Sequence, residues 1–163
     1  MHNADAKVPI ITKGVNARPF VGVVVTVGGF SYYAPLASPK RKHLTMKNQL
    51  DFLKIDGGTL GAINFNNMIP VVDEYLSKID LSGDLAESGA EKAYVNLLRK
   101  QLAWCRSNSD TIMQSATKLY TQITKGSARS QIKVRCCDFR LLEKKCHEFA
   151  KQDKASPPPL AAS

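Results

Sequence analysis

Long apolar runs are missing from this chain. Its greasiest stretch, FVGVVVTV at 20–27, is strand-sized and far short of the ~20 apolar residues a membrane helix needs. The opening MHNADAKVP lacks the basic-then-apolar layout of a signal peptide, so the cytoplasm is the expected compartment. Histidine and cysteine are too thinly spread for a metal site. His2, His43 and His147 lie far apart, and Cys105, Cys136, Cys137 and Cys146 make no CxxC pair. The four cysteines are expected as reduced thiols, most of them in or near the core. The chain has no Gly-rich phosphate loop of the P-loop kind, no Ser/His/Asp order and no paired-carboxylate motif, and no cofactor is expected. Acidic residues are scarce as well: 14 Asp and Glu face 23 Lys and Arg, a formal net charge of +9. Such a surplus on a small domain attracts polyanions, nucleic acid foremost, although many small proteins are basic for no functional reason.

What is present suits one globular domain with a sizeable core. The 163 residues are 44% hydrophobic, and the reading places one domain at 1–150 and a disordered Pro-rich tail at 151–163. The first half is β-rich. RPFVGVVVTV, Gly28-Gly29 and FSYYAPL form a hairpin pattern, and DFLKI, Asp56-Gly57-Gly58 and LGAINF a second. Pro35 cannot donate to a ladder, so its strand is expected at an edge or at an end. The second half is helical. NMIPVVDEYLSKI fits a helix with Pro70 in its first turn. Ser88 and Glu91 form a capping box ahead of a long apolar stripe, Tyr94, Leu97, Leu98, Leu102, Cys105, Ile112, Ala116, Leu119 and Ile123, expected as one buried face. The polar cluster Ser107–Asp110 marks a bend or a new start, and Gly126 a stop. GSARSQIKVRCC reads as a loop into a short strand, and Asp138 as the cap of a last helix, FRLLEKKCHEFAK. Strands first and helices after mean α+β, a twisted antiparallel sheet covered by helices.

Between Ser38 and Leu50 stand four cations, Lys40, Arg41, Lys42 and Lys47, and no carboxylate. This loop joins the two hairpins. Pro39 fixes its own φ and pushes Ser38 into an extended conformation. Alternation then aligns Tyr32, Ala34, Leu36 and Ser38 on one face, holding a hydroxyl beside Lys40. A rigid hydroxyl next to an ammonium suits a phosphate clamp. Spacing alone favours the plainer alternative, a basic loop in water. His43, from a reference value of ~6.5, could titrate near neutral pH but is expected as an ordinary surface loop residue. Tyr32 and Tyr33 could stack on bases, with at least one expected in the core. Trp104 is expected in the core, and Arg18 either contacts phosphate or is solvated.

Four blocks in order, RPFVGVVVTVGGFSYYAPLASPK, LGAINFNNMIPVV, LLRKQLAWCRSNSDTI and CDFRLLEKKCHEF, resemble the ToxN/AbiQ family, toxins of type III toxin–antitoxin systems. The resemblance runs from about Val8 to Phe149. It implies a strongly twisted antiparallel sheet related to the MazF/Kid-like toxins. It also implies a metal-independent endoribonuclease that leaves a 2′,3′-cyclic phosphate. The implied partner is a small pseudoknot RNA antitoxin, cut by the toxin from its own repeat precursor and bound in a closed protein–RNA assembly. The implied roles are growth arrest and abortive infection against phage.

The family segment (T/S)SPK falls on Ala37, Ser38, Pro39 and Lys40, so Ser38 and Lys40 are the implied catalytic pair and Ala37 departs from the pattern. His43 is the one nearby group suited to act as base, and Arg18, Tyr32, Arg41, Lys42 and Lys47 are the expected RNA-binding residues. The family's usual Tyr-containing strand and short helix ahead of DAKVP are not in the sequence as given: either the start is trimmed, or this member builds its sheet without that strand, which would expose a sheet edge. The competing expectation is a non-catalytic RNA-binding module, a degraded toxin that binds RNA and does not cut it.

Overall fold

The computed structural model describes residues 1–9, 19–82 and 88–155. Among them, five strands form an antiparallel sheet and five α-helices follow or interrupt it. β1 (Phe20–Val27) and β2 (Phe30–Ala37) form the first hairpin, closed by the Gly28-Gly29 turn, with a register shift between Val21 and Val25. β3 (Phe52–Lys54) and β4 (Ala62–Asn64) form the second, and β4 returns to pair with the end of β2 through Leu36↔Ile63 and Ala37↔Ala62. The order is β1-β2-β4-β3, with β5 (Ile69–Pro70) also on β2.

The expected edge position of Pro35 is overturned, because β2 lies in the middle of the sheet. Leu36 N–H donates to Pro19 O on the β1 side at 2.8 Å, so by alternation the nitrogen of Pro35 faces the other flank. There, β5 pairs with Tyr32 and Tyr33 and β4 with Leu36 and Ala37, and Pro35 falls between them. A missing donor costs least at such a junction.

The helix expected over NMIPVVDEYLSKI is likewise overturned. Met68, Ile69 and Pro70 are all buried, Pro70 pairs with Tyr32, and only a 3₁₀ turn at Asp73–Tyr75 follows. The open flank of β2 needed a strand partner, and that tertiary demand outweighed the helical spacing.

α2 (Gly89–Ser107) begins at the expected capping box: Ser88 Oγ accepts from Glu91 N–H at 3.2 Å, and Glu91 Oε2 from Ser88 N–H at 2.8 Å. It ends at Asn108, from which α3 (Ser109–Thr124) starts, so the polar cluster breaks the helix as expected. The strand expected from QIKVRCC is instead a short helix, α4 (Ser130–Arg135). Its side chains are largely exposed, while Cys136 and Cys137 beyond it are buried. Asp138 caps α5 (Phe139–Ala155), its Oδ1 accepting from Leu141 N–H at 3.0 Å. α5 passes the expected domain end at 150, and residues 156–163 of the expected tail lie outside the described residues. All four cysteines are free and buried.

The core lies between the sheet and α3 and α5, built from Tyr32, Ala34, Phe65, Met68, Ala116, Leu119, Phe139 and Leu142. Tyr32 and Tyr120 both donate to Glu143 Oε1, at 3.0 and 2.6 Å, and Arg140 donates to Oε2 at 3.2 Å. That satisfies a carboxylate that burial would otherwise disfavour.

One glycine is fixed by crowding as well as by its backbone. Gly61 has φ 101°, and a Cβ there would lie 1.9 Å from Ala37 O. Gly61→Ala is expected to lower the unfolding free energy by at least about 2 kcal/mol in urea titrations. Gly89→Ala, in the open first turn of α2, should be neutral or stabilising by about 0.5 kcal/mol.

Candidate active site and nucleic-acid interface

The face of β2 carrying Tyr32, Ala34 and Leu36 is buried, and Ser38, next in that series, emerges into solvent with Pro39 and Lys40. Lys40 stays extended (φ −140°, ψ 147°), and its carbonyl accepts the His43 N–H at 2.8 Å. That bond opens a short helix, α1 (Arg41–Thr45), where the sequence suggested only loop. Ser38 and Lys40 therefore sit between two fixed elements, the paired end of β2 and the start of α1.

The turn joining β3 to β4 packs behind this segment. Asp56, Gly57, Gly58 and Gly61 all have positive φ, and Thr59 Oγ1 donates to Asp56 Oδ2 at 2.5 Å. A Cβ on Gly58 would meet His43 O at 2.5 Å, and one on Gly61 would meet Ala37 O, so only glycine permits these approaches. From α2, the buried Gln101 side chain donates through Nε2 to Leu60 O at 2.7 Å and to Ala37 O at 3.4 Å.

Arg41, Lys42 and Lys47 are exposed like Lys40, and none of the four has an ion-pair partner among the described residues. Lys54 adds a cation that the sequence reading missed, its Nζ reaching Leu44 O at 3.4 Å across α1. The carboxylate closest in sequence, Asp51, is buried and committed to Arg135, which donates to Oδ1 at 2.9 Å and to Oδ2 at 2.5 Å. An uncompensated cluster of cations on an open surface suits a phosphate backbone.

Two of the proposed residues are placed otherwise than expected. Tyr32 is fully buried, its ring 5.6 Å from Tyr120 and 5.7 Å from Phe139, so it is a core residue and offers no face for a base. Its expected RNA contact is corrected accordingly. His43 is not a surface residue but 3% exposed, packed 5.7 Å from Phe52, with Nδ1 buried and without a hydrogen-bond partner. Burial, then the charges of Lys42 and Lys40, hold its pKa below the ordinary histidine value. Arg18 lies outside the described residues. Tyr33 is half-buried, its hydroxyl donating to Asp73 at 3.2 Å, and Trp104 packs against the core as expected.

The sequence reading also missed Gln101 and the Asp51–Arg135 pair. A polar residue set among Leu97, Leu98, Leu102 and Cys105, at the spacing of an apolar face, was the signal for Gln101. A cleft between the Gly29 turn and α5 lies elsewhere, lined by Ser31, Asp73, Glu74 and His147, and its carboxylates make it unsuited to a polyanion.

An antiparallel sheet whose central strand ends in a hydroxyl-bearing, cation-rich loop is an arrangement for engaging phosphodiesters. The family model for Toxin ToxN of type III toxin–antitoxin systems matches residues 1–147, and the chain belongs to that family. It is similar to Endoribonuclease ToxN of Bacillus thuringiensis subsp. kurstaki, 32% identical over 159 residues, spanning 95% of this chain and 80% of that protein. A solved structure concerned with selective toxin inhibition by a non-coding RNA pseudoknot superposes with a TM-score of 0.74 at 30% identity, covering 92% of this chain and 90% of the other. That of AbiQ, a lactococcal anti-phage endoribonuclease of a type III system, gives 0.73 at 26% identity, covering 92% and 90%.

The lowered pKa of His43 has a thermodynamic consequence. Between its folded value and ~6.5 the unfolded chain binds a proton that the folded chain does not, so stability falls as pH drops through that window. Chemical denaturation at pH 7.5 and 5.5 should show a loss for the native protein that is smaller in His43→Phe. An equal loss in both would mean that His43 does not carry it.

Proposed function

We propose that the protein is an endoribonuclease toxin acting in the cytoplasm, which cleaves RNA through the substrate's own 2′-OH and leaves a 2′,3′-cyclic phosphate. Its inhibitor is a small pseudoknot RNA that it processes from a repeat precursor and holds in a closed protein–RNA assembly. Growth arrest and abortive infection against phage are the resulting roles. Relatives named as endoribonucleases support this reading, as do the pseudoknot-inhibited and anti-phage toxins that share the fold. No helix among the described residues is long and apolar enough to cross a membrane. The observation that carries the reading is the exposed Ser38-Pro39-Lys40 segment, held between β2 and α1 amid unpaired cations.

In this mechanism the 2′-oxygen attacks phosphorus in line with the departing 5′-oxygen, giving up its proton to a solvent water as the new bond forms. Extra negative charge gathers on the non-bridging oxygens, and the leaving oxygen needs a proton. Lys40 supplies a cation to the phosphoryl oxygens or a proton to the leaving group. Ser38 donates a hydrogen bond to a non-bridging oxygen or orients the 2′-OH, without forming a covalent bond to the RNA. Arg41, Lys42 and Lys47 track flanking phosphates, and Arg18 is proposed to join them. His43 enters as a neutral imidazole beside the site. Its Nδ1 is sealed from solvent and so cannot exchange a proton with bound RNA, and its placement against Phe52 and Gly58 supports a role in holding α1.

Ala37, where the family pattern has a hydroxyl, keeps the non-catalytic RNA-binding module as the second reading. Incubation with RNA in EDTA separates the two. The nuclease reading expects cut products with cyclic-phosphate ends, and at least a hundredfold slower cleavage by Ser38→Ala and Lys40→Ala at unchanged melting temperature. The binding-module reading expects a salt-sensitive gel shift and no products. Full cleavage by a folded Lys40→Ala variant would refute the assignment.

A further inference from the structure

Ser38 and Lys40 project from a segment with no side-chain hydrogen bonds of its own among the described residues, so something behind it must fix its position. Two features do so. The paired end of β2 brings Ala37 against Ala62, with Gly61 so close that a Cβ would overlap Ala37 O. Across this contact lies Gln101 of α2, 1% exposed, whose single Nε2 amide group spans two carbonyls on different chain segments, Leu60 O and Ala37 O. The two hydrogens of one –NH₂ account for both bonds. Ala37 O belongs to the peptide unit that leads directly into Ser38, so a shift of that carbonyl turns the Ser38 backbone with it.

We propose that Gln101 is a positioning residue, which sets the orientation of the Ala37–Ser38 peptide and thereby the placement of the Ser38 hydroxyl and Lys40 against a phosphodiester. The proposal rests on the nuclease reading above. Gln101 touches no substrate. Its amide clamps the exit of β2 to the Leu60 turn, and α2 provides the rigid rod from which it acts. The rest of the loop, with its cations facing solvent, is left free to bind RNA. Loss of the amide should therefore slow the chemical step while leaving the affinity for RNA in place.

Steady-state kinetics on an end-labelled transcript that the native protein cuts provide the test. They are paired with fluorescence anisotropy on the same transcript made with a 2′-deoxy nucleotide at the cut site, and with thermal melts. Gln101→Met, which keeps the volume and removes the donors, should lower kcat by at least tenfold, with KM and the Kd of the 2′-deoxy transcript within twofold of native. Gln101→Glu puts acceptors against the two carbonyls and should be slow at pH 8. It should regain activity relative to native as pH falls, because a protonated carboxyl offers one donor, whereas Gln101→Met should show no such recovery. A folded Gln101→Met with kcat within threefold of native would overturn the proposal. So would a fall in kcat matched by loss of RNA affinity, or a failure of both variants to fold, since each would make Gln101 a purely structural residue. Ser38→Ala measured in parallel separates the two layers. If it cleaves at the native rate, the nuclease site is wrongly placed; if it is inactive while Gln101→Met is unimpaired, only the positioning role fails.

Discussion

β2 is held along both flanks, by β1 on one side and by β5 and then β4 on the other, and that pairing sets everything at its far end. A strand paired on one side can fray or twist, and residues just past its end would wander with it. Here the last residue, Ala37, is locked to Ala62, abutted by Gly61 and bonded by Gln101. The exposed Ser38-Pro39-Lys40 segment can thus be at the surface and still well placed. The buried side of the same strand extends this rigidity inward, through the Tyr32 hydroxyl on Glu143 and the ring contacts with Tyr120 and Phe139.

The electrostatics follow from a division between inside and outside. Asp51 and Glu143 are buried and bonded to Arg135, and to Arg140 and two tyrosines. Glu148 pairs with Lys145 on the same helix, and Asp73 takes the Tyr33 hydroxyl. These acids are engaged by other partners and do not neutralise Lys40, Arg41, Lys42 and Lys47, which have no ion-pair partner among the described residues. Such a field speeds encounter with RNA and weakens with salt, while discrimination between sequences must come from contacts other than charge.

Local chemistry was readable wherever it was self-contained. The Gly28-Gly29 turn, the Ser88–Glu91 box, the Asn108 break and the Asp138 cap each depend on a few neighbouring residues, and all occur as their residue types suggest. Met68–Pro70 was misread because a short apolar run fits helix and strand alike, and only the vacant flank of β2 decides between them. QIKVR has β-branched content but finds no strand to pair with, and it coils. The site divides along the same line. Ser38 and Lys40 stand out through Pro39 and the surrounding cations, which are local features. The burial of His43 and Tyr32 depends on what packs over them. Gln101 was hidden because a lone amide in an apolar stripe looks like a surface interruption until the carbonyls it reaches are known.

The bond between Tyr32 and Glu143 joins residues 111 positions apart, and that between Asp51 and Arg135 joins residues 84 apart. A ribosome makes β2, with Ser38 at its tip, long before α5 exists. Until that helix emerges, the inner face of β2 has neither its acceptor nor the rings of Tyr120 and Phe139 to lie against, and the strand has no finished surface to rest on. The segment carrying Ser38 and Lys40 therefore lacks its finished support until the last described helix has been made.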